Sequence, residues 1–478
     1  MSVGLEEQRA LYQGRLPVFT RSVKGNFRRF KSSVLILAYA VFFLLPWLPW
    51  HRSDGPAQAV LFDVPGRRFL VFDLTIYPQD VVWLALLLFI AAAVLFFATA
   101  LVGRAFCGYF CFQTLWTDFY IWIEAKIQGE RPARVRLYRQ PWDREKILKI
   151  GATHLVWLLA SFWTAMSFVL YYGYAPDLVA RFFTGEAAAA AYITVAALTL
   201  STYFAAGFMR EQICTYVCPY GRFQSVMYDP ETLAVHYDAK RGEGNHGRAS
   251  ARAGLRTAEE RHDKGNGDCI DCGLCVQVCP TGIDIREGLQ YRCISCGLCI
   301  DACNGIMDSM GFARGLIRYD SEANLASPAP AKPHLHWKRL KVAGYGLSIA
   351  LMAVYLVYSV ASRSSFEGLV TQVRQPLFVV LSNGDIRNRY QIRITNKQSV
   401  AETYTVIVKG LPASALDLGD FSEVTVKPGH SAIMQASIVL DPQVAAKTHE
   451  VRFVIIPRAH EDQQRIETAG FHYTAPTI

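Results

Sequence analysis

The long apolar stretches of this 478-residue chain contain no acidic residues and almost no histidine. Hydrophobic residues make up 52% of the chain. Without carboxylates the apolar stretches offer no proton or ion pathway, which argues against a pump. His154 lies near one end of an apolar stretch, and His51 lies near the end of another. Because a haem group inside a bilayer needs paired axial ligands within the spans, a di-haem cytochrome b is disfavoured.

Five apolar segments have about the 20 residues that a membrane-spanning helix requires. They cover residues 33–50, 81–102, 150–172, 187–208 and 341–361. The first segment follows a basic run, but Pro46 and Trp47 stand where a small-residue cleavage site would be needed. We therefore predict a retained signal anchor instead of a cleaved signal peptide.

Lysine and arginine predict the orientation of these spans. Residues 1–32, 103–149 and 209–340 are rich in both, whereas 51–80 and 173–186 hold only Arg52, Arg67, Arg68 and Arg181. This distribution predicts a cytoplasmic N-terminus and an outer C-terminal region, and it accounts for the net charge of +9 without nucleic-acid binding. The predicted outer segments contain no cysteine, which agrees because metal sites and free thiols belong in a reducing compartment.

Eight of the twelve cysteines form two runs with the spacing Cys-x2-Cys-x2-Cys-x3-Cys, which is typical of a two-cluster ferredoxin. In such runs three cysteines surround one cluster, and the fourth ligates the other cluster. We therefore expect one [4Fe-4S] cluster on Cys269, Cys272, Cys275 and Cys303. The second cluster is expected on Cys293, Cys296, Cys299 and Cys279.

The segments around the ferredoxin run, 265–320, are polar. Residues 229–264 are rich in Gly, Arg and Glu and predict a surface loop or a partly ordered linker. This segment contains Gly242-x-Gly244-x-x-Gly247, which we do not interpret as a nucleotide-binding loop, since no β-α-β unit follows it. The Pro-rich, basic residues 327–339 predict a connector to the fifth span.

Residues 370–478 predict an antiparallel β-sandwich of immunoglobulin-like type. Seven short alternating runs are separated by turn signals such as Asn383-Gly384 and Pro428-Gly429. They are LFVVL, YQIRIT, TYTVIV, SEVTVK, AIMQASIVL, EVRFVII and AGFHYTA. No convergent set of His, Cys or carboxylates occurs there, so we expect docking of a partner or stabilisation of an assembly from this domain.

The remaining four cysteines form two Cys-x3-Cys pairs at the predicted membrane exits of spans two and four. They are Cys107 with Cys111 and Cys214 with Cys218. Two thiols at i and i+4 of a helix share one face, about 5–6 Å apart at Cβ, and suit two-coordinate Cu(I). Pro219 predicts a break at Cys218, because the residue before proline avoids the α region.

A purely structural interpretation of these pairs remains open. Cysteine is small and readily buried, and one pair at helical spacing is often only packing. The two pairs are matched, since each has an arginine shortly before it and a tyrosine two residues after the first cysteine. This internal repeat favours a metal or redox site, which could form within one chain or across a homodimer.

The order of these motifs resembles the FixG/CcoG/RdxA family of cytochrome c oxidase accessory proteins. The resemblance rests on RAFCGYFCFQTLWTDFYIWIE (104–124), QICTYVCPYGRFQSVMYD (212–229), YDAKRGE (237–243), the cysteine run (267–303) and GLIRYDSEANL (315–325). It implies a bacterial inner-membrane protein with two [4Fe-4S] clusters that reduces Cu(II) to Cu(I) for a cbb3-type oxidase. It also implies a copper-handling role for the four membrane-exit cysteines.

The fold class we predict is a multi-domain membrane protein. An α-helical bundle of about five spans (33–228 and 341–361) carries an inserted two-cluster ferredoxin domain and a periplasmic immunoglobulin-like β-sandwich. The predicted function is cupric reductase, fed by a quinol or a cytoplasmic reductant. Two alternatives remain: an electron relay from quinol to an external redox partner, and a non-enzymatic scaffold or copper chaperone that binds oxidase subunits.

Overall fold

The structure, a computed structural model, describes residues 18–51, 55–252, 254–327, 332–398, 400–419, 423–459 and 463–473. Residues 1–17 of the basic N-terminal segment, Arg52 of the predicted outer loop and the last residues of the predicted β-domain, 474–478, lie outside these ranges. The chain divides into two compact units. One comprises Met1–Trp47 with Leu86–Ala353, and the other comprises Leu48–Ala85 with Val354–Ile478.

Five helices among the described residues are long and apolar enough to cross a membrane. They are Asn26–Trp47, Val81–Val102, Arg144–Tyr172, Ala189–Val217 and Leu340–Ala361. Each corresponds to a predicted segment; the second has the predicted bounds, the fifth begins one residue earlier, and the other three differ more. The first helix includes the basic turn ahead of residue 33, the third begins at its Asp143 N-cap, and the fourth continues past residue 208 through π-helical turns.

Shorter helices of the first unit lie outside the spans. They are Ala105–Tyr109, Phe112–Ile127, Arg131–Arg139, Ala175–Thr184, Pro219–Met227, Ala239–Glu243, Ala258–Asp263, Leu274–Gln277, Leu298–Met310 and Glu322–Ala326. The helix Phe112–Ile127 packs its apolar face on the third span, where Trp116 and Tyr120 are buried. Trp116 donates to Thr164 Oγ1 over 3.0 Å, and Tyr120 donates to the Trp157 carbonyl over 3.0 Å.

The structure corrects the prediction of a linker at residues 229–264. Strand Ala234–Tyr237 pairs antiparallel with strand Ile317–Asp320 and thereby joins both ends of the ferredoxin region. Arg261 is fully buried and donates to the carbonyls of Gly267 (2.7 Å), Ala249 (2.9 Å) and Cys269 (2.8 Å). Polar side chains such as Arg261 hold the backbone of this segment in place. Hydropathy does not distinguish such a segment from a solvated loop, because both are polar.

The second unit contains the predicted β-sandwich. One sheet has the order Leu416–Asp417, Ser431–Leu440, Ile386–Asn396, Phe366–Gln372, with Val379–Val380 also paired to Ile386–Asn396. The other has the order Glu423–Val426, Glu402–Lys409, Glu450–Pro457, Arg465–Gly470. Alternate residues such as Tyr390, Ile392 and Ile394 point into the core. The immunoglobulin-like fold is thus confirmed.

Several details of this unit differ from the prediction. Strand Phe366–Gln372 begins before residue 370, and the last strand is Arg465–Gly470 instead of a run starting at 469. The segment 51–80, predicted only as an outer loop, forms a three-stranded sheet of Val60–Asp63, Arg68–Val71 and Leu74–Ile76. Buried Asp80 ties it to the sandwich unit by ion pairs with Arg363 (2.9 Å) and Lys397 (3.4 Å).

Candidate iron-sulfur and thiol site

The first predicted ligand set surrounds one cavity of the ferredoxin region. Cys269, Cys272, Cys275 and Cys303 all line it, together with the apolar side chains of Ile306, Met307, Leu316 and Ile317. Cys269 and Cys275 are buried, whereas Cys272 is exposed. The structure therefore brings together four thiols that are separated by 34 positions in sequence at most, as the crossed pairing requires.

The second predicted ligand set lines a neighbouring cavity. Its thiols are Cys279, Cys293, Cys296 and Cys299, and its apolar walls include Val235, Ile283 and Ile285. Cys275 borders both cavities, because its helix Leu274–Gln277 packs on Leu298–Met310 between them.

Both cysteine runs adopt the same unusual backbone. Asp271 has φ 51° and Ser295 has φ 50°, each directly before the second cysteine of its run. The glycine after that cysteine, Gly273 or Gly297, is also left-handed and caps the helix that follows. Residues other than glycine rarely adopt this backbone conformation. Its repetition shows that the two cysteine loops share one backbone shape.

The donor chemistry fits an iron-sulfur cluster. Burial, with a smaller effect of the neighbouring Cys275, Cys269 and Cys272, raises the pKa of the Cys303 thiol to about 12. Burial likewise raises the pKa of Cys299, with the Cys296 and Cys293 thiolates adding to the effect. Four thiolates cannot share such a space without a compensating cation, and cluster iron ligated by four thiolates supplies it.

The membrane-exit cysteines lie near one another within one chain. Cys111 and Cys218 are electrostatic neighbours of Cys107, and Cys214 has Cys107, Cys111 and Cys218 around it. We call these four residues the thiol quartet. Nothing in the sequence showed that the two pairs converge, and the convergence requires no second copy of the chain.

The quartet is not built on two continuous helices, which corrects the expected i, i+4 arrangement. The helix Ala105–Tyr109 ends before Cys111, and Cys214 lies in the π-helical turn Ile213–Val217. The second cysteine of each pair is extended, with ψ 129° at Cys111 and 112° at Cys218, and precedes a new helix. The predicted break at Cys218 is therefore present, and Cys111 repeats it without a proline.

The two motifs nevertheless share one local structure. The Cys111 amide donates to the Phe106 carbonyl over 3.1 Å, and the Cys218 amide donates to the Ile213 carbonyl over 2.8 Å. Both bonds span five residues, so each pair is closed by the same wide turn. The internal repeat seen in the sequence is a structural repeat.

The segment between Cys107 and Cys111 lies directly against the loop Ile294–Cys296 of the second ligand set. A Cβ atom on Gly108 would stand 2.6 Å from the Ile294 carbonyl oxygen and 3.0 Å from Cys296 Cα. Tyr109 donates its hydroxyl to the Cys296 carbonyl over 2.8 Å, and Cys107 belongs to the same apolar cluster as Cys296. Backbone contact of this kind places the quartet beside the second ligand set.

Two polar residues around Cys107 were not predicted. Arg104 is 2% exposed; its Nε donates to Gln224 Oε1 over 3.2 Å, and it also binds the Tyr291 carbonyl. The Cys107 thiol donates to the same Gln224 oxygen over 3.1 Å. Burial raises the pKa of Cys107 to about 11, while the Arg104 charge opposes the shift. Arginine at a membrane exit is also an orientation signal, so the arginine of the repeat could not be assigned to the site from its position alone.

Within the described ranges, no three His, Cys, Asp or Glu side chains converge closely enough to hold one metal ion. This result concerns single ions with three or more ligands. A thiolate pair can bind Cu(I) with two ligands, as the sequence led us to expect, and a four-iron cluster needs its ligands spread wider than a single ion does.

Three family models match the chain. A "4Fe-4S dicluster domain" covers residues 209–322, a "4Fe-4S binding domain" covers 84–129, and the "IG-like fold at C-terminal of FixG" covers 356–475. The second match includes Cys107 and Cys111, whose spacing alone did not indicate iron-sulfur binding.

Curated relatives match over most of their length. Protein RdxA of Cereibacter sphaeroides is 42% identical over 84% of this chain and 84% of its own. Protein RdxB of the same organism is 40% identical over 90% of both chains. Nitrogen fixation protein FixG of Rhizobium meliloti is 37% identical over 94% of this chain and 92% of its own.

The fold and these matches define a membrane iron-sulfur protein of oxidoreductase type, with spanning helices, 4Fe-4S domains and an immunoglobulin-like domain. More particularly, the chain belongs to the FixG family, which includes RdxA and RdxB. The resemblance noted from the motifs is confirmed.

Proposed function

We propose that this oxidoreductase reduces Cu(II) to Cu(I) at the thiol quartet. One electron converts Cu(II) to Cu(I), and no bond to copper other than ligation needs to form or break. The observation that carries the proposal is the contact of Gly108 and Tyr109 with the loop Ile294–Cys296, since it brings the quartet against a ligand set of a one-electron carrier.

The proposed ligand sets follow the two cavities. Cys269, Cys272, Cys275 and Cys303 would hold the first [4Fe-4S] cluster, and Cys279, Cys293, Cys296 and Cys299 would hold the second. When bound, these clusters supply storage of single electrons. The chain keeps both cavities walled by apolar side chains, and it leaves Cys272 at the surface.

The quartet would bind copper as the substrate, at Cys107, Cys111, Cys214 and Cys218. Thiolates are soft ligands that prefer Cu(I) to Cu(II), so they stabilise the reduced product. The Arg104 charge favours the Cys107 thiolate, and Gln224 fixes the direction of its side chain. Two thiolates at a time would suffice, which leaves the other pair to receive or release the ion.

A second candidate function rests on the match of residues 84–129 to a 4Fe-4S binding domain. Under this alternative, the quartet holds a third cluster and the protein relays electrons to another redox partner. The four-thiol composition fits this ligand class as well. Iron content separates the two proposals, because it would be four atoms per chain higher for a third [4Fe-4S] cluster.

The proposed setting follows from the relatives and the orientation analysis. We place the clusters and the quartet on the cytoplasmic side of a bacterial inner membrane and the immunoglobulin-like domain in the periplasm. There the β-domain would dock oxidase subunits or a copper chaperone for assembly of a cbb3-type oxidase. A scaffold without redox function would need neither the quartet nor the cluster cavities intact.

The test is anaerobic purification followed by iron analysis, electron paramagnetic resonance and titration of the reduced protein with Cu(II). We expect cluster oxidation in step with formation of Cu(I). The variant Cys107→Ala/Cys111→Ala should keep its wild-type iron content and lose this reaction. Thr215→Ala is the matched control, because Thr215 lies within the second Cys-x3-Cys pair and its hydroxyl donates to the Glu211 carbonyl within its own helix turn. Undiminished Cu(II) reduction by the double variant would refute the site, and lower iron content would favour the third cluster.

A further inference from the structure

A cavity of about 140 Å³ lies at the start of the first span, separate from both cluster cavities. Its walls come from the segment 20–23, the helix Phe112–Ile127 and the loops of the second ligand set. Ile121, Trp122 and Ala125 contribute most of the helix face. Because a cavity of roughly 150 Å³ accepts one benzene ring, this one has the size for a single six-membered ring.

The cavity borders the second ligand set directly. Val278 and Pro280, on either side of Cys279, form part of its wall, and so does Leu298, which precedes Cys299. A ring bound there would contact residues that are adjacent in sequence to Cys279 and Cys299, two of the proposed ligands of the second cluster.

Five polar side chains line the cavity, and the acid among them is Asp118; the others are Thr20, Arg21, Ser22 and Arg28. Asp118 is 8% exposed; its Oδ1 accepts from Arg28 Nη1 over 2.9 Å and pairs with Lys31 Nζ at 3.4 Å. Asp118 Oδ2 has no hydrogen-bond partner among the described residues. Burial opposes ionisation, but the Lys31 and Arg28 charges hold the pKa of Asp118 below its ordinary value. The carboxylate is therefore ionised and keeps one free acceptor, which is costly in a buried position unless a ligand uses it.

The position favours a ligand that arrives from the membrane. Arg28 and Lys31 belong to the first turns of the first span, so the cavity lies at the level where that span leaves the bilayer. Trp122 lines the cavity and is 52% exposed, which suits an aromatic side chain at a membrane-water interface. Apolar walls with a few convergent polar groups are typical of sites for small organic ligands.

We propose that this cavity binds the ring of a membrane-carried hydroquinone, whose hydroxyl donates to Asp118, and that this hydroquinone is the electron donor of the protein. The proposal rests on the proposed function, since it names the reductant that Cu(II) reduction requires. Oxidation to the quinone breaks two O–H bonds and releases two electrons, one for each of the two clusters. Both protons leave to water past Thr20 and Ser22, because the Asp118 carboxylate is already paired with the Arg28 and Lys31 charges.

The first experiment measures binding without any redox reaction. A photoreactive azido-quinone is added to the full-length protein in liposomes, and labelled peptides are identified by mass spectrometry. We expect labelling within 118–125 or 20–28 in the wild type, and its loss in Ala125→Phe, which fills the cavity. Ala239→Phe is the matched control, since Ala239 is exposed and does not line the cavity. Labelling that is confined to other segments, or that survives Ala125→Phe, would overturn the proposal.

The second experiment follows cluster reduction by a short-chain ubiquinol in the same liposomes. Ala125→Phe should slow reduction at least about tenfold, equivalent to roughly 1.4 kcal/mol, while dithionite still reduces its clusters fully. Asp118→Asn should also slow the reaction, because it removes the charged acceptor of the hydroquinone hydroxyl. An unchanged ubiquinol rate in Ala125→Phe would contradict the site. Reduction by a water-soluble hydroquinone but not by ubiquinol would contradict the membrane source.

The two proposals fail in different ways. If dithionite-reduced protein reduces Cu(II) but no quinol reduces the clusters, the donor site is wrong and the copper function stands. If ubiquinol reduces the clusters but Cu(II) does not reoxidise them, the donor site stands and the copper function is wrong.

Discussion

Gly108 is the position where the smallest change should separate the thiol quartet from the second cluster loop. In Gly108→Ala the new Cβ would lie 2.6 Å from the Ile294 carbonyl oxygen and 3.0 Å from Cys296 Cα, whereas ordinary contacts begin near 3.4 Å. Both obstacles are backbone atoms of a ligand loop, so they cannot rotate away. The two segments must separate by about 0.8 Å to restore an ordinary contact.

The cost of this overpacking should be about 1–3 kcal/mol. If this cost falls on the contact between Gly108 and the loop Ile294–Cys296, the fraction of molecules in which the two segments touch falls by a factor of roughly 5 to 150. We expect slower oxidation of the reduced clusters by Cu(II) in a stopped-flow measurement, with iron content unchanged, because no ligand is altered.

Gly305→Ala is the matched control. Gly305 lies in the helix Leu298–Met310, and a Cβ there meets nothing within 4 Å. Alanine is the better helix former by about 1 kcal/mol, so this variant should be neutral or slightly more stable. If Gly108→Ala matched Gly305→Ala in both stability and Cu(II) reduction, the close approach of quartet and loop would be refuted.

Three further variants test how the site is held. Asp301→Ala removes the carboxylate that accepts from the Phe27 and Arg28 amides (3.3 and 2.8 Å). The loss of this cap should cost about 0.5–2 kcal/mol and speed tryptic cleavage near Arg28. Cleavage no faster than in the control Asp308→Ala would contradict the capping role. Arg261→Ala leaves several buried carbonyls unpaired, each worth about 1–3 kcal/mol; the iron content should fall, unlike in the exposed Arg256→Ala, and full iron occupancy would show that this network is dispensable. Asp80→Ala leaves Arg363 and Lys397 without their shared buried carboxylate and should destabilise the second unit by about 3 kcal/mol in denaturant unfolding; the exposed Glu450→Gln is the control, and equal midpoints would contradict the role of this ion pair.

Local patterns predicted much of this protein because their physical causes are local. A spanning helix must be apolar along its whole length, so the five segments were visible in composition, although their ends were not. The cysteine spacing reflects the size of a cluster loop, and the alternation from residue 386 to 396 reflects a strand with one buried face. Segment 229–264 was misread because Arg261 orders it through backbone carbonyls, and a buried arginine has the same hydropathy as an exposed one.

The sequence by itself determined the membrane spans, the two cysteine runs, the β-sandwich and the repeat of the Cys-x3-Cys motif, since each depends on spacing within one segment. Only the tertiary structure decided that Cys107, Cys111, Cys214 and Cys218 come near one another in one chain and that Gly108 lies against Cys296. It also decided that Asp118 borders a ring-sized cavity. These relations join residues 90 to 190 positions apart, roughly, and no local pattern encodes which distant segments the packing brings into contact.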